Sequence, residues 1–187
     1  MAIYTSSLRP GTGIPSGKHG GIIQVESVKK TDTFVTSADS WVNLTGLACT
    51  ITPHSSSSKI IVCLSISICG DFYTSYARIR RQVAGTSDVD LFQGTGSGVK
   101  PIAAVCATGD NGIQDSHGQQ FLVHRQFVDE PGTTSEITYQ VQAQGRPDFS
   151  ANGATRINYS VPDRNTNSYD ARPVSYTHLT LPTTPYV

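Results

Sequence analysis

One stretch of the chain, residues 59–69, constrains the fold more than any other. Its residues alternate between an aliphatic set (Ile60, Val62, Leu64, Ile66 and Ile68) and a mixed set (Ile61, Cys63, Ser65, Ser67 and Cys69). Successive side chains of a β-strand point to opposite faces, so this period of two predicts a strand. One face of that strand belongs to a hydrophobic core, and the other is semi-apolar and suits a thinner or wetter contact.

Further strand-like runs follow the same pattern and are separated by turn-forming residues, at the spacing of a sandwich or barrel. Strands are predicted at residues 22–30, 33–37, 41–44, 47–52, 75–83, 119–129, 135–143 and 155–161, with two short ones at 89–92 and 102–106. No window shows the apolar spacing of an amphipathic helix. We therefore predict an all-β fold, an antiparallel and jelly-roll-like β-sandwich with almost no helix. The turn at Pro131 and Gly132 predicts a hairpin between the strands on either side of it.

Composition agrees with many short strands and excludes some functions. Serine and threonine make up more than a fifth of the 187 residues, while charged residues make up 15%. The formal net charge is +0, and because nucleic-acid binding needs a clustered excess of Lys and Arg, no nucleic-acid partner is predicted. The longest apolar run is far shorter than the roughly 20 residues that span a bilayer, so no membrane insertion is predicted either. The N-terminus lacks a signal-peptide pattern, which indicates synthesis in the cytoplasm.

The chain is predicted to have three parts. Residues 1–21, rich in Gly and Pro, form an extended arm or linker, and residues 22–173 form the β-sandwich domain. The tail, residues 174–187, contains Val-Ser-Tyr-Thr-His-Leu-Thr-Leu-Pro-Thr, which is similar to one translated frame of a transposase adapter used in sequencing libraries. We therefore predict that residues 174–187 are non-native and that the genuine sequence ends near Pro173. A tail that alternates in this way is still able to occupy the place of a missing strand.

Catalytic and metal-binding patterns are weak throughout. Ser56 and Lys59 match S-x-x-K, but they lie in a polar loop before a strand and do not open a buried helix. The glycines of residues 94–98 lack the spacing of a dinucleotide-binding loop. The five histidines and four cysteines show no zinc-site spacing. The prediction is a non-enzymatic protein without metal or cofactor.

The order of the strands and several local motifs resemble a family of marine bacteriophage structural proteins, described as tail fibre-like or virion-associated. The resemblance lies in residues 20–25, 30–34, 42–47 and 50–62, and in the aromatic-x-Asp-x-Pro turn of residues 127–139. It covers roughly residues 18–173. Family members continue past the loop at 162–173 into a last strand of the Thr-Ile-Thr-Leu-Met-Glu type, and this chain carries the adapter-like residues there.

The resemblance implies a location in the virion, other virion proteins as partners, and a tail fibre or receptor-binding tip that contacts the bacterial surface. Fibre tips of this kind are usually homotrimers, so the semi-apolar face of Ile61, Cys63, Ser65, Ser67 and Cys69 is a candidate subunit interface. Contact with a host-surface glycan or protein is expected in the long loops. Exposed aromatics there would stack on sugars and polar neighbours would bind hydroxyls; the candidates are Phe72, Tyr73, Asp110, Asn111 and Phe149.

Two other classes of function fit the same pattern. One is a capsid decoration or neck protein without receptor contact. The other is a carbohydrate-binding module borrowed by an enzyme. Genes for capsid assembly beside this one would favour the first, and a catalytic domain on the same gene would favour the second.

Overall fold

The computed structural model describes residues 22–70, 74–94, 105–108, 120–145, 154–159 and 175–182. All the regular structure in these residues is β-strand. The strands are β1 (Ile22–Lys30), β2 (Phe34–Thr36), β3 (Val42–Ile51), β4 (Ile60–Gly70), β5 (Thr74–Val83), β6 (Val89–Leu91), β7 (Val105–Thr108), β8 (Gln120–Asp129), β9 (Ile137–Gln144), β10 (Thr155–Ile157) and β11 (Ser175–Pro182). The predicted arm and the loop at 162–173 lie outside the described residues.

The strands form two antiparallel sheets. Sheet A has the order β1-β11-β4-β10-β2, with β8 on the other side of β4, and sheet B has the order β3-β9-β5-β6, with β7 also on β5. The pairs are nested, because β1 pairs with β11, β3 with β9, β4 with β8, and β5 with β6 and β7. Nested pairing of an early strand with a late one is the order of a jelly roll. The predicted fold class is confirmed.

The core lies between the two sheets and is built from the inner faces of the long strands. In β4 the predicted core set, Ile60, Val62, Leu64, Ile66 and Ile68, is completely buried. From sheet B the inner residues of β9, including Ile137 and Val141, pack against it together with Leu44 and Leu47 of β3. The alternation gives each strand one apolar face, and the two sheets pack with these faces together to form the core.

The predicted hairpin between β8 and β9 is wrong. The strand β8 belongs to sheet A and pairs with β4, whereas β9 belongs to sheet B and pairs with β3 and β5. Residues 130–136 therefore cross from one sheet to the other, and Gly132 adopts a positive φ of 69° in this connection. In the nested order β8 and β9 belong to different sheets, so the apolar face of each strand packs toward the opposite sheet.

A polar network and an aromatic pair join the two sheets at the β6 and β8 side. The carboxylate of Asp129, at the end of β8, accepts hydrogen bonds from Arg81 Nη1 at 2.7 Å and from the Tyr139 hydroxyl at 2.6 Å. Arg81 and Tyr139 both belong to sheet B, so one carboxylate spans the core. Nearby, the ring of Phe92 stacks on that of Phe127, with centroids 3.7 Å apart. Among the described strands no backbone pairing joins β8 to sheet B, so these side-chain contacts link the two sheets there.

The adapter-like tail forms β11, which lies between β1 and β4 in sheet A. At its start, the Ser175 hydroxyl donates to Asn158 Oδ1 at 2.7 Å and accepts from the Ser67 backbone N–H at 3.1 Å. Further along, Leu179 is completely buried in the core. Thr177 is also buried, but its Oγ1 has no hydrogen-bond partner. The tail thus completes the sheet but leaves the buried Thr177 hydroxyl unsatisfied.

Candidate functional site

The loop residues predicted for receptor contact, Phe72, Tyr73, Asp110, Asn111 and Phe149, lie outside the described residues. Their role stays a prediction. The described residues instead present two contrasting surfaces, the outer faces of sheets A and B.

The outer face of sheet A contains the predicted subunit-interface residues of β4. Ser65, Ser67 and Cys69 are buried, whereas Ile61 and Cys63 are half-buried. The chain itself covers the Cys69 end, since Cys69 Sγ donates to the Tyr159 carbonyl at 3.5 Å. The accessible part of this face therefore lies toward Ile61.

The neighbouring strand β8 extends that accessible surface. Val128 is paired with Ile61 and is 48% exposed, and Leu122 is paired with Ser67 and is 72% exposed. We call Ile61, Cys63, Leu122 and Val128 the sheet A patch. Large exposed aliphatic side chains on one face are typical of surfaces that meet another protein. Sequence analysis identified the β4 half of this patch and missed the β8 half, because only the register shows that the two strands are neighbours.

The outer face of sheet B is polar, and its side chains lie in rows across three strands. Asn43, Gln142 and Arg78 occupy one row, since Gln142 is paired with both of the others. Gln142 Nε2 donates to Asn43 Oδ1, and Arg78 Nε donates to Gln142 Oε1, both at 2.7 Å. A continuous chain of side-chain hydrogen bonds therefore crosses the sheet.

The charges on this face are paired. Asp90 of β6 accepts from Arg78 Nη1 and from Arg80 Nε, each at 2.7 Å. Burial raises the pKa of Asp90, but the hydrogen bond from Arg80 and the charges of Arg78 and Arg80 outweigh it and hold the pKa below its usual range. Burial lowers the pKa of Arg78, and the charge of Asp90 opposes this. The carboxylate thus occupies both guanidinium groups and neutralises much of their charge.

Two aromatic residues flank the next row. The register places Tyr76 beside Gln144 on one side. On the other side, Val42 pairs with Ala143 in antiparallel register, so the preceding residue, Trp41, lies beside Gln144. The Gln144 amide also donates to the Asp39 carbonyl, which lies in the same segment. Both rings are half-buried, and the guanidinium of Arg78 lies 4.4 Å from the centre of the Trp41 ring. We call Trp41, Tyr76, Gln142, Gln144 and Arg78 the sheet B cluster.

One buried side-chain atom of the sheet B cluster lacks a hydrogen bond. Gln144 is 7% exposed, and its Oε1 is buried without a donor. A buried unpaired acceptor is costly and uncommon in folded proteins. Sequence analysis missed this cluster: the alternation of residues 137–144 could have indicated the outward glutamines, but the aromatic neighbours come from β5 and from the residue before β3.

No group of three or more His, Cys, Asp or Glu side chains among the described residues is placed to hold a metal ion. Cys49 and Cys63 are free thiols, and burial raises the pKa of Cys49 to about 12. A thiol with that pKa stays protonated at neutral pH and is a poor nucleophile. None of the described residues forms a helix that is long and apolar enough to cross a membrane.

The chain matches no family model and no curated protein. Among solved structures it is similar to the infectious bursal disease virus Gx strain, with 10% identity and a TM-score of 0.38 over 86% of this chain and 38% of the other. It is also similar to the VP2 subviral particle of infectious bursal disease virus, with 7% identity and a TM-score of 0.34 over 87% of this chain and 42% of the other. The chain spans about two fifths of the length of these neighbours. Similarity this low carries no argument about function.

Proposed function

We propose that the chain is a non-enzymatic structural protein of a bacteriophage virion, a tail fibre or receptor-binding tip domain that contacts the bacterial surface. Its fold is shared by viral capsid and lectin domains. A fold alone does not determine function, so the proposal depends on the surfaces. The observation that carries it is the contrast between the two outer faces, one with exposed aliphatic side chains and one polar and aromatic. The motif resemblance to marine phage structural proteins supports the same function.

The sheet A patch is the proposed contact between subunits of a homotrimer. Val128 exposes aliphatic surface next to Ile61 and Cys63, and Leu122 exposes more at the other end of the same face of β8, beyond Gln126 and His124. Burying such a patch between copies removes apolar area from water, and a closed symmetric assembly buries it in every subunit. The polar face of sheet B then points away from the assembly and is free for other contacts.

Oligomeric state in solution tests the first part of this proposal. We expect the purified chain to elute as a trimer in size-exclusion chromatography with light scattering, and Val128→Asp to shift it to monomer. The matched control is Val89→Asp, because Val89 is also an exposed valine, 39% against 48%, but belongs to β6 of sheet B. A wild-type chain that is monomeric over the accessible concentration range would contradict the trimer.

Adsorption to cells tests the second part. We expect labelled trimer to bind marine bacterial isolates in flow cytometry, with binding competed by unlabelled chain. A trimer that binds no isolate but sediments with purified virions would favour a capsid decoration or neck protein instead. A chain that neither assembles nor adsorbs would remove the proposed function.

A further inference from the structure

We propose that the sheet B cluster is a binding site for a neutral saccharide of the bacterial surface. The inference rests on the proposed function, because it assigns the contact with the host to one defined surface. Its residues differ from the loop candidates Phe72, Tyr73, Asp110, Asn111 and Phe149, to which sequence analysis assigned receptor contact.

Aromatic rings on both sides of the site provide the first argument. Trp41, just before β3, and Tyr76 in β5 lie on either side of Gln144, and both keep part of their surface exposed. Aromatic side chains offer a large apolar face with a polar tip. A pyranose has one face of C–H groups and an edge of hydroxyls, so a ring of that shape fits between aromatic and amide groups.

The unpaired oxygen of Gln144 provides the second argument. Gln144 Nε2 already donates to the Asp39 carbonyl, whereas Oε1 accepts nothing. The missing partner must be a donor, and a sugar hydroxyl supplies one when the Gln144 amide turns toward the accessible rings of Trp41 and Tyr76. Asn43 lies on the neighbouring row with an exposed side chain, so its amide is also accessible to the same ligand.

The charge pattern determines which saccharide fits. Arg78 of the cluster donates to Gln142 and to Asp90, and the neighbouring Arg80 donates to Asp90, so both guanidinium groups already have a carboxylate partner. An acidic sugar would have to compete with Asp90 for those groups. A neutral saccharide needs only hydroxyl hydrogen bonds and ring contact, which this surface provides.

The tryptophan makes a direct test possible, because Trp41 is the single tryptophan of the chain. We would titrate the full chain with neutral oligosaccharides (mannan, galactan and glucan fragments) and with acidic alginate fragments, and follow tryptophan emission. A saturable change is expected with at least one neutral oligosaccharide and not with alginate. No change with any neutral oligosaccharide, or a response to alginate alone, would overturn the assignment.

Variants locate the binding. Tyr76→Ala is expected to weaken binding by about tenfold or more, and Tyr76→Phe, which keeps the ring, by about twofold or less. Gln82→Ala is the matched control, since Gln82 lies on the same outer face of β5 but pairs with Thr138, away from the cluster. Thermal unfolding of each variant checks that it is folded. Equal weakening by Tyr76→Ala and Gln82→Ala would overturn the site.

Cell adsorption separates the failure of this site from the failure of the proposed function. If the wild-type chain adsorbs to bacteria and Tyr76→Ala adsorbs equally well, the receptor-binding function stands and the site is wrong. If the chain binds a neutral oligosaccharide through Trp41 but does not adsorb to any isolate, the site stands and the proposed function is wrong.

Discussion

At the residue scale, Asp129 is a buried carboxylate that needs hydrogen-bond partners in both of its contacts with sheet B. Its carboxylate is 6% exposed and joins the two sheets through Arg81 and the Tyr139 hydroxyl. A buried charge is tolerated only when it is paired and hydrogen-bonded. The pairing also explains why an arginine occurs at an inward position of β5, where the neighbouring inward residues Ile79 and Val83 are aliphatic.

Removing the Asp129 carboxylate should cost much more stability than removing the Tyr139 hydroxyl. Asp129→Ala leaves Arg81 and Tyr139 without their shared partner, so we expect a loss of about 3 kcal/mol in the free energy of unfolding. Tyr139→Phe removes one hydrogen bond and should cost about 1 kcal/mol. Denaturant unfolding measures both. Glu136→Ala, at an exposed carboxylate just before β9, should change the free energy by less than about 0.5 kcal/mol; an equal loss at Glu136 would contradict the role of Asp129.

At the scale of the element, β8 is a long strand at the edge of sheet A. Among the described strands it pairs with β4 alone, so the other side of its backbone has no strand partner there. Arg125 lies on the inward side of this edge, opposite the buried Leu64, and its side chain is exposed. An inward-pointing charge is one of the devices that keep edge strands from pairing with other chains.

Replacing Arg125 should therefore promote strand-to-strand association. Arg125→Val makes the inward side of β8 continuously apolar from Phe121 to Phe127, so we expect species larger than the wild-type assembly that grow with protein concentration. Sedimentation velocity measures this. Arg125→Lys retains the charge and serves as the control. Wild-type behaviour of Arg125→Val would mean that something other than this charge protects the edge.

At the scale of the whole molecule, the sequence predicts the strands better than their pairing. The alternation in β4, β5 and β9 is local, and it predicts both the strands and their buried faces. Pairing joins distant segments, such as β1 with β11 and β4 with β8, and no local pattern specifies it. The hairpin expected at Pro131 was wrong for this reason. The sheet B cluster was missed for the same reason, since its residues come from distant segments of the chain that only the register brings together.

Completion of sheet A depends on the tail. If the tail is foreign, as the sequence predicts, then a segment that was not selected for this position fills a place in the sheet. In the structure β11 fills the place between β1 and β4. Its inward residues are Ser175, Thr177 and Leu179, all buried. Ser175 is hydrogen-bonded on both sides, whereas the Thr177 hydroxyl has no partner. A segment not selected for a core position would leave such a hydroxyl unpaired, and an aliphatic residue would suit that position better.

We therefore expect Thr177→Val to stabilise the domain by about 1 kcal/mol, because it removes a buried unsatisfied hydroxyl and keeps the β-branched shape. Thr50→Val, at an exposed position of β3, should stay within about 0.5 kcal/mol of wild type.

Deleting residues 174–187 should abolish cooperative unfolding, since β1 then loses its partner in sheet A. Denaturant unfolding measures all three variants. Destabilisation by Thr177→Val would show that the hydroxyl is satisfied and the tail fitted to its place, and gene codons that depart from the adapter would remove the foreign-tail prediction itself.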